Sequence, residues 1–495
     1  MNGGLVVLPI VARSNREALA RLEEAAAEPA DLHELRLDLL EEEPAAELLV
    51  RASSRPVIAT CRSRSQGGGF PGGAAERLDL LRRAGRAGAA FVDAEEDVSG
   101  GLPRGDGAVV IASWHDFSGT PGNLPDRVRE LEDAPGDWIK FAVTARRPED
   151  NLAVFDALSR CSKPAIAIAM GEMGLPSRIL GPAHGSRATF GSLSRGLESA
   201  PGQPTARELA ELYRVKSLTR DSAVYGLIGD PVAQSSGHIY HNRAFAMAGL
   251  DAVYIPFLCL DAKAFLREVP AAVNLRGLSV TMPHKLAALE AAEQCSDNAR
   301  LAGAANTLRR RAGGGWSADN TDFAAVVEAV GGKAAALGLS LSGAPALVLG
   351  GGGAARGVGA ALAKLGCRVA AAGRDGAKTA ALAQAMGWDS VPWAETGRGG
   401  WRVVANATPV GMVPEIEATP FPAAGWRPGM IAFDAVHNPR LTRFLREAKA
   451  AGAEPLDGFD MFIRQARGQF KLWTGREMPP ASFGPGRAGG EAKEG

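Results

Sequence analysis

Eight short apolar runs recur roughly every 25 residues through the first half of the chain, and this spacing constrains the fold more than any other feature. They are "LVVLPIVA", "DLHELRLDLL", "RPVIATCRS", "AAFVDAEED", "AVVIASWHDF", "WIKFAVTA", "KPAIAIAMGE" and "RATFGSL". Helical patterns such as "NREALARLEEAAAE" and "PEDNLAVFDALSR" fill the gaps. Strands alternating with helices make a parallel sheet. Eight such units by about residue 215 imply a closed (β/α)8, or TIM, barrel with its reactive groups at the C-terminal strand ends. At 495 residues the chain exceeds one ordinary core, so further domains follow.

Polar residues fall where that geometry wants them. Glu34 and Arg36 lie in the second run, Arg62 closes the third and Glu95 ends the fourth. His115 ends the fifth, Lys140 sits within the sixth and Met170 ends the seventh. Taken alone, Lys140 reads as a strand-edge residue whose stem covers apolar surface, and His115 as a structural histidine. Their placement one strand apart, with Glu95 on the strand before, favours a site. Desolvation in an apolar barrel mouth favours the neutral, nucleophilic amine. A neighbouring imidazole can move protons near neutral pH. This set suits Schiff-base chemistry on a ketone, with His115 carrying the proton and Glu95 orienting it.

Together "ELRLD", "ATCRS", "SWHDF", "WIKFAV", "AMGEMGLPSR", "RATFGS" and "SAPGQ" resemble the type I 3-dehydroquinate dehydratase family across residues 5–215. The resemblance implies an imine between Lys140 and the C3 ketone of 3-dehydroquinate. His115 would remove the C2 proton and assist loss of the C1 hydroxyl. Glu34, Arg36, Arg62, Met170, Arg178, Phe190, Ser199 and Gln203 would line the substrate site, with Arg178 as a bidentate carboxylate clamp. Ala169 stands where the family often has Ser. "SAPGQ" by itself also reads as a plain surface turn.

"PTARELAELYRVK" reads as the last barrel helix and "SLTRDS" as a polar linker. A new βα pattern then begins at "AVYGLIGDPV". In "LVLGGGGAARGVGAAL", Gly350, Gly352 and Ala355 fit G-x-G-x-x-A between a strand and a helix, a dinucleotide fingerprint. The amphipathic stretches "LTRFLREAKAAG" and "GFDMFIRQARGQFKLWTG" follow the cofactor sheet and are expected to pack back on the earlier module. Lys285 follows the strand of "SVTMPHK" and Asp322 sits in "DNTDF". Such a pair can pass a proton to or from a hydroxyl whose carbon exchanges hydride. Lys285 also reads as a solvated first-turn lysine, and Asp322 as an N-cap for "FAAVVEAV".

"GLIGDPVAQS", "LSVTMPHK", "AGAANTL", "ADNTD", "NATPVGM" and "DGFDMFIRQA" resemble the shikimate dehydrogenase family over about residues 223–475. The resemblance implies reduction of 3-dehydroshikimate with NADPH, Lys285 and Asp322 as the catalytic pair, and Ser235, Thr281, Asn306 and Gln465 on the substrate. It assigns the cofactor to Gly350, Gly352, Gly353, Ala354, Ala355, Thr408 and Gly458. Arg374, at the tip of "CRVAAAGRD", and Lys378 suit a 2′-phosphate, whereas Asp375 beside them would favour NAD if turned inward. Two substrate-contact positions depart from the pattern: Gly237 replaces the second serine of H-S-x-S-P, with Ser236 beside it, and His437 replaces the tyrosine of D-x-V-Y. The order of the two enzymes resembles fused dehydratase–dehydrogenase proteins. A dehydrogenase acting on quinate and a non-catalytic metabolite sensor are the rival readings.

The expected layout is an α/β chain: a barrel at 1–216, a linker at 217–222, a substrate domain at 223–330 completed by 440–480, a Rossmann NADP-binding domain at 331–439, and a disordered tail at 481–495. Lys+Arg and Asp+Glu balance at 55 each, which argues for small-molecule partners and against nucleic acid or an anionic membrane. Five scattered cysteines without a C-x-x-C pair favour neither zinc nor disulfides, so no metal is expected. The opening residues lack a signal-peptide pattern, giving a cytoplasmic expectation. A homodimer through the barrel is the expected assembly.

Overall fold

The computed structural model describes residues 4–103, 107–200 and 202–484. The chain forms two compact units, one comprising residues up to 226 with 232–275, the other 227–231 with 276–483.

In the first unit eight parallel strands follow the eight apolar runs. They are β1 (Leu5–Ile10), β2 (Leu32–Arg36), β3 (Val57–Thr60), β4 (Phe91–Glu95), β5 (Val109–Asp116), β6 (Trp138–Thr144), β7 (Ala165–Met170) and β8 (Ala188–Phe190). Their order is β7-β6-β5-β4-β3-β2-β1-β8. Arg187 N–H donates to Ala165 O at 2.8 Å between β7 and β8, leaving the barrel nearly closed. Side chains alternate along each strand. On β6, Ile139, Phe141 and Val143 pack outward under the helices Leu124–Asp133 and Asp150–Ser159. Trp138 and Ala142 belong to the inner cluster, with Leu32, Ile58, Phe91, Ile111 and Phe190. That parity turns Lys140 inward, and likewise Glu34, Asp93, Glu95, Ser113 and His115.

The expected last barrel helix appears as one wide turn, Glu208–Leu212. β9 (Ala223–Gly229) carries the chain from the first unit into the second. The helix Gly237–Met247, β10 (Ala252–Leu258) and the helix Ala262–Ala272 belong to the first unit. Arg214 donates to Ala252 O at 2.8 Å there. The compact units divide at 226, 231 and 275.

In the second unit, β11 (Leu275–Val280), β12 (Gln294–Cys295), β13 (Thr307–Arg310) and β14 (Trp316–Asp319) form one pairing set. β13 lies antiparallel to both β11 and β14, and β12 parallel to β14. The second sheet is wholly parallel: β15 (Pro345–Leu349), β16 (Arg368–Ala372), β17 (Asp389–Ser390), β18 (Val403–Asn406), β19 (Ile431–Asp434) and β20 (Glu454–Leu456). The order β17-β16-β15-β18-β19-β20 puts the first strand centrally. Connections reverse direction between β15 and β18, and a crevice at such a switch point is where doubly wound sheets bind nucleotides.

One expectation is corrected here. The helix Arg443–Ala450 does not return to the earlier module. Its Phe444, Leu445 and Ala448 pack on Leu347, Leu349 and Ala432 of the parallel sheet, and β20 follows it as the sixth strand. The cofactor sheet thus runs to Leu456, beyond the expected border at 439. Amphipathicity marks the buried face of a helix without saying what covers it. The helix Gly458–Thr474 does leave the sheet: Trp473 Nε1 donates to Leu308 O at 3.0 Å. Of the expected tail, Pro480–Phe483 forms a helical turn, and 485–495 lie outside the described residues. No helix among the described residues is long and apolar enough to cross a membrane.

Candidate active sites

Inside the barrel, Lys140 is 5% exposed and does not sit in an apolar pocket. Its Nζ lies 2.8 Å from Asp93 Oδ2 and 3.5 Å from Glu34 Oε1, and 4.4 Å from the centre of the Phe190 ring. The expectation of an apolar mouth is therefore corrected. The amine is desolvated but ion-paired, and its main partner, Asp93, was missed. Asp93 also receives Arg62 at 2.8 Å and Ser113 Oγ at 2.6 Å. Burial works against its charge, yet Arg62 and then Lys140 hold its carboxyl well below the usual carboxylate range. Alternation could have found it, since Asp93 shares a face with Phe91 and Glu95.

His115 follows Ser113 on the same face of β5, and Ser113 pairs in register with Lys140. The imidazole thus stands one side-chain step nearer the C-terminal mouth than the lysine. Its ring contact is not Glu95. Gln66 Oε1 accepts from the His115 backbone N–H at 3.0 Å and lies 3.3 Å from its Nδ1. Glu95 instead accepts from Ser63 N–H and from Arg77, both at 2.8–2.9 Å, with Arg62 at 3.7 Å. The orienting role expected for Glu95 is corrected on this geometry. Gln66 lies in the glycine-rich loop after β3, where strand periodicity carries no signal. Burial first, then Arg62 and Lys140, push the His115 ring well below its ordinary pKa, which keeps it neutral and proton-accepting.

Several of the other expected barrel residues have their own partners. Glu34 accepts from Thr60 Oγ1 at 2.9 Å, Arg36 is bidentate on Asp38, and Met170 ends β7. Arg178, on the short helix Leu175–Leu180, is 2% exposed, and its Nε lacks a hydrogen-bond partner among the described residues. Burial alone pushes its guanidinium down to about 10. Ser199 donates from N and Oγ to Gln203 Oε1 at 2.9 and 3.1 Å, and buried Gln203 Nε2 has no hydrogen-bond partner among the described residues. Buried donors without acceptors cost stability and suit an anionic, oxygen-rich ligand.

In the second unit Lys285 opens the helix Lys285–Glu290, and Asp322 lies in the first turn of Thr321–Ala336. Their Nζ and Oδ2 are 2.6 Å apart, both partly open to solvent. Asn320, not Asp322, caps that helix by accepting from Phe323 N–H at 2.9 Å, so the aspartate is free for the lysine. Asn306 Oδ1 accepts from Thr321 N–H at 2.7 Å, which fixes its amide. Thr281 N–H donates to Ile228 O at 3.0 Å. Gln465 is half-buried on the helix Gly458–Thr474. The buried amide there is Gln469, accepting from Ser279 Oγ at 2.8 Å. Ser235, whose Oγ accepts from Gly237 N–H at 3.2 Å, belongs to the other compact unit. His437 stacks on Phe462 with ring centres 5.4 Å apart.

The fingerprint loop fits a dinucleotide. Gly350 holds φ +131°, and a Cβ there would stand 3.1 Å from Ala407 O. Gly352 starts the helix Gly353–Lys364 without a side-chain cap, and no described atom lies within 4 Å of its missing Cβ. Uncapped N–H groups at an open helix start suit a pyrophosphate. A Cβ on Gly353 would be 3.6 Å from Lys285 Cδ, so Lys285 borders this loop. Ala354 lies in the first turn and buried Ala355 packs beneath it. Arg374 and Lys378 are exposed beyond β16, while Asp375 caps the helix Gly376–Met386 by accepting from Lys378 N–H at 3.0 Å. Thr408 bonds Asn406 Oδ1. Gly458 is required by close approach, since a Cβ would meet Val436 O at 2.3 Å.

Comparisons with known proteins match both halves of the chain. A model of type I 3-dehydroquinase matches residues 6–220, one of the shikimate dehydrogenase substrate binding domain 227–308, and one of the shikimate 5'-dehydrogenase C-terminal domain 458–482. A chloroplastic bifunctional 3-dehydroquinate dehydratase/shikimate dehydrogenase of Arabidopsis thaliana is 34% identical over 507 residues, covering 97% of this chain and 83% of that one. An NADP+ shikimate dehydrogenase of Oleidesulfovibrio alaskensis is 38% identical over 266 residues, covering 52% and 91%. A solved Thermus thermophilus shikimate dehydrogenase, in complex with NADP(H) and shikimate, is 35% identical, covering 52% and 96% with a TM-score of 0.46. Fold and sites define a two-enzyme chain, a lyase barrel followed by a dinucleotide-dependent oxidoreductase. The chain belongs to the bifunctional 3-dehydroquinate dehydratase/shikimate dehydrogenase family of the shikimate pathway.

Proposed function

We propose that the barrel dehydrates 3-dehydroquinate through an imine on Lys140, and that Lys285 and Asp322 serve the NADPH-dependent reduction of the product to shikimate. The observation that carries the first half is a buried lysine beside a histidine that burial keeps neutral. The Lys140 amine adds to the C3 ketone and water leaves, forming the imine. His115 takes the C2 proton and returns it to the departing C1 hydroxyl, which leaves as water, and hydrolysis of the imine releases 3-dehydroshikimate. Arg178 and Gln203, with their unpartnered donors, receive the substrate carboxylate and hydroxyls.

In the dehydrogenase site Lys285, oriented by Asp322 at 2.6 Å, gives its proton to the ketone oxygen that becomes a hydroxyl. Asn306, Thr281 and Gln465 hold the substrate. NADPH, when bound, supplies the hydride. Arg374 and Lys378 receive its 2′-phosphate, and the engagement of Asp375 as a helix cap removes the nearby competitor for a ribose 2′-hydroxyl. The homodimer rests on the family resemblance, and sedimentation of the purified chain tests it. Borohydride reduction with 3-dehydroquinate, followed by peptide mass spectrometry, should find the adduct on Lys140. No adduct, or one on another lysine, overturns the barrel mechanism.

A further inference from the structure

At the C-terminal ends of β18, which flanks the switch point, and its neighbour β19 lies a polar cluster that neither reaction uses. Asn406 ends β18, Asp434 ends β19, and the two pair in register. Asn406, Asp434 and Thr442 are each 0% exposed. Asp434 Oδ1 accepts from Asn406 Nδ2 and Val436 N–H, both at 2.9 Å, and Oδ2 accepts from Thr442 Oγ1 at 2.5 Å. Thr442 in turn caps the helix Arg443–Ala450 by accepting from Leu445 N–H.

The consequence falls on the Asn406 amide. An acceptor on the Asp434 side forces Nδ2 that way, with its other hydrogen on Val410 O at 3.1 Å. Oδ1 must then face Thr408, accepting from its N–H at 3.0 Å and its Oγ1 at 2.7 Å. Thr408 Oγ1 accepts from Val410 N–H at 3.2 Å and closes the turn. That turn borders the fingerprint directly, since Ala407 N–H donates to Leu349 O at 2.9 Å and Ala407 O abuts Gly350. Burial raises the Asp434 carboxyl to about 7, and its hydrogen bonds from Thr442, Val436 and Asn406 offset only part of that penalty on its charged form.

We propose that Asp434 is a positioning residue for the dinucleotide: by fixing the Asn406 amide it holds the 406–410 turn in the shape that the cofactor lies against. The inference rests on the cofactor reading above. Its test is calorimetric binding of NADP+ to the full chain at pH 8, with dehydratase activity as the check on the rest of the molecule. Asp434→Ala removes every acceptor and should weaken NADP+ binding by about tenfold or more. Asp434→Asn keeps Oδ1 and its two N–H partners and should bind within about threefold of the unmutated chain. Thr442→Val loses a helix cap and should lower the melting temperature without weakening NADP+, which separates positioning from general stability. Asn406→Ala cuts the same link from the other side and carries the test if Asp434→Ala does not fold.

The inference is overturned if folded Asp434→Ala, or Asn406→Ala in its place, binds NADP+ as the unmutated chain does. It is equally overturned if Asp434→Asn loses as much affinity as the alanine variant, or if Thr442→Val does. An unmutated chain that binds no NADP+ would overturn the cofactor reading itself, and this inference with it.

Discussion

Replacing Asp93 by asparagine perturbs the barrel at its most charged point. The side chain is fully buried and serves two cations, Lys140 and Arg62, each at 2.8 Å. Their other carboxylates, Glu34 and Glu95, stand at 3.5 and 3.7 Å, too distant to take over both bonds. Breaking a buried ion pair by removing one partner costs about 3–5 kcal/mol, because the remaining charge stays desolvated. The surviving carboxylates put this case at the lower end, about 3 kcal/mol. For a domain of this size 1 kcal/mol shifts Tm by about 2–4 °C, so Asp93→Asn should lower the barrel transition by about 6–12 °C. Calorimetry of the full chain measures it, with the barrel transition assigned by loss of dehydratase activity after brief heating. Dehydrogenase activity should survive to its usual temperature. A barrel transition within about 2 °C of the unmutated chain, with full dehydratase turnover, would refute the reasoning.

Further outcomes follow from the same geometry. Dehydratase kcat/KM should stay level as pH falls through the ordinary histidine range and drop only well below it, because burial, Arg62 and Lys140 keep His115 neutral. Below about pH 6.5 the unfolded chain binds that proton and the folded barrel does not, so barrel stability should decline as pH falls, which urea titrations at several pH values check. Steady-state assays with both cofactors should favour NADPH over NADH by about tenfold, about 1.4 kcal/mol in kcat/KM. Arg374→Ala should erase most of that preference, and equal efficiencies in the unmutated enzyme would contradict it. Lys285→Ala should abolish reduction of 3-dehydroshikimate and leave dehydration intact, as initial rates of each reaction will report.

Much of the barrel site was legible because one rule covers it. Each inward apolar residue, such as Leu32, Ile58, Ile111 or Ala142, shares its face with the polar residue two places away. Glu34, Lys140 and His115 follow from that alternation, and so would Asp93. Gln66 does not, because its loop has no period and only the tertiary fold brings it to His115. Glu95 was placed near the histidine from strand order alone. Ser63 N–H and Arg77 donate to it instead, with Arg62 3.7 Å away. The glycine fingerprint was readable because backbone conformation itself demands those residues. The surroundings of Arg443–Ala450 were not, since its apolar face fits either module.

The account stands most directly on one coupled measurement. A single purified chain is given 3-dehydroquinate and NADPH, and NADPH consumption is followed alongside shikimate by chromatography. The account predicts shikimate and NADP+ in equal amounts, their formation lost in Lys140→Ala and restored to that variant by added 3-dehydroshikimate. No NADPH consumption from 3-dehydroquinate by the unmutated chain, or undiminished consumption by Lys140→Ala, would contradict it.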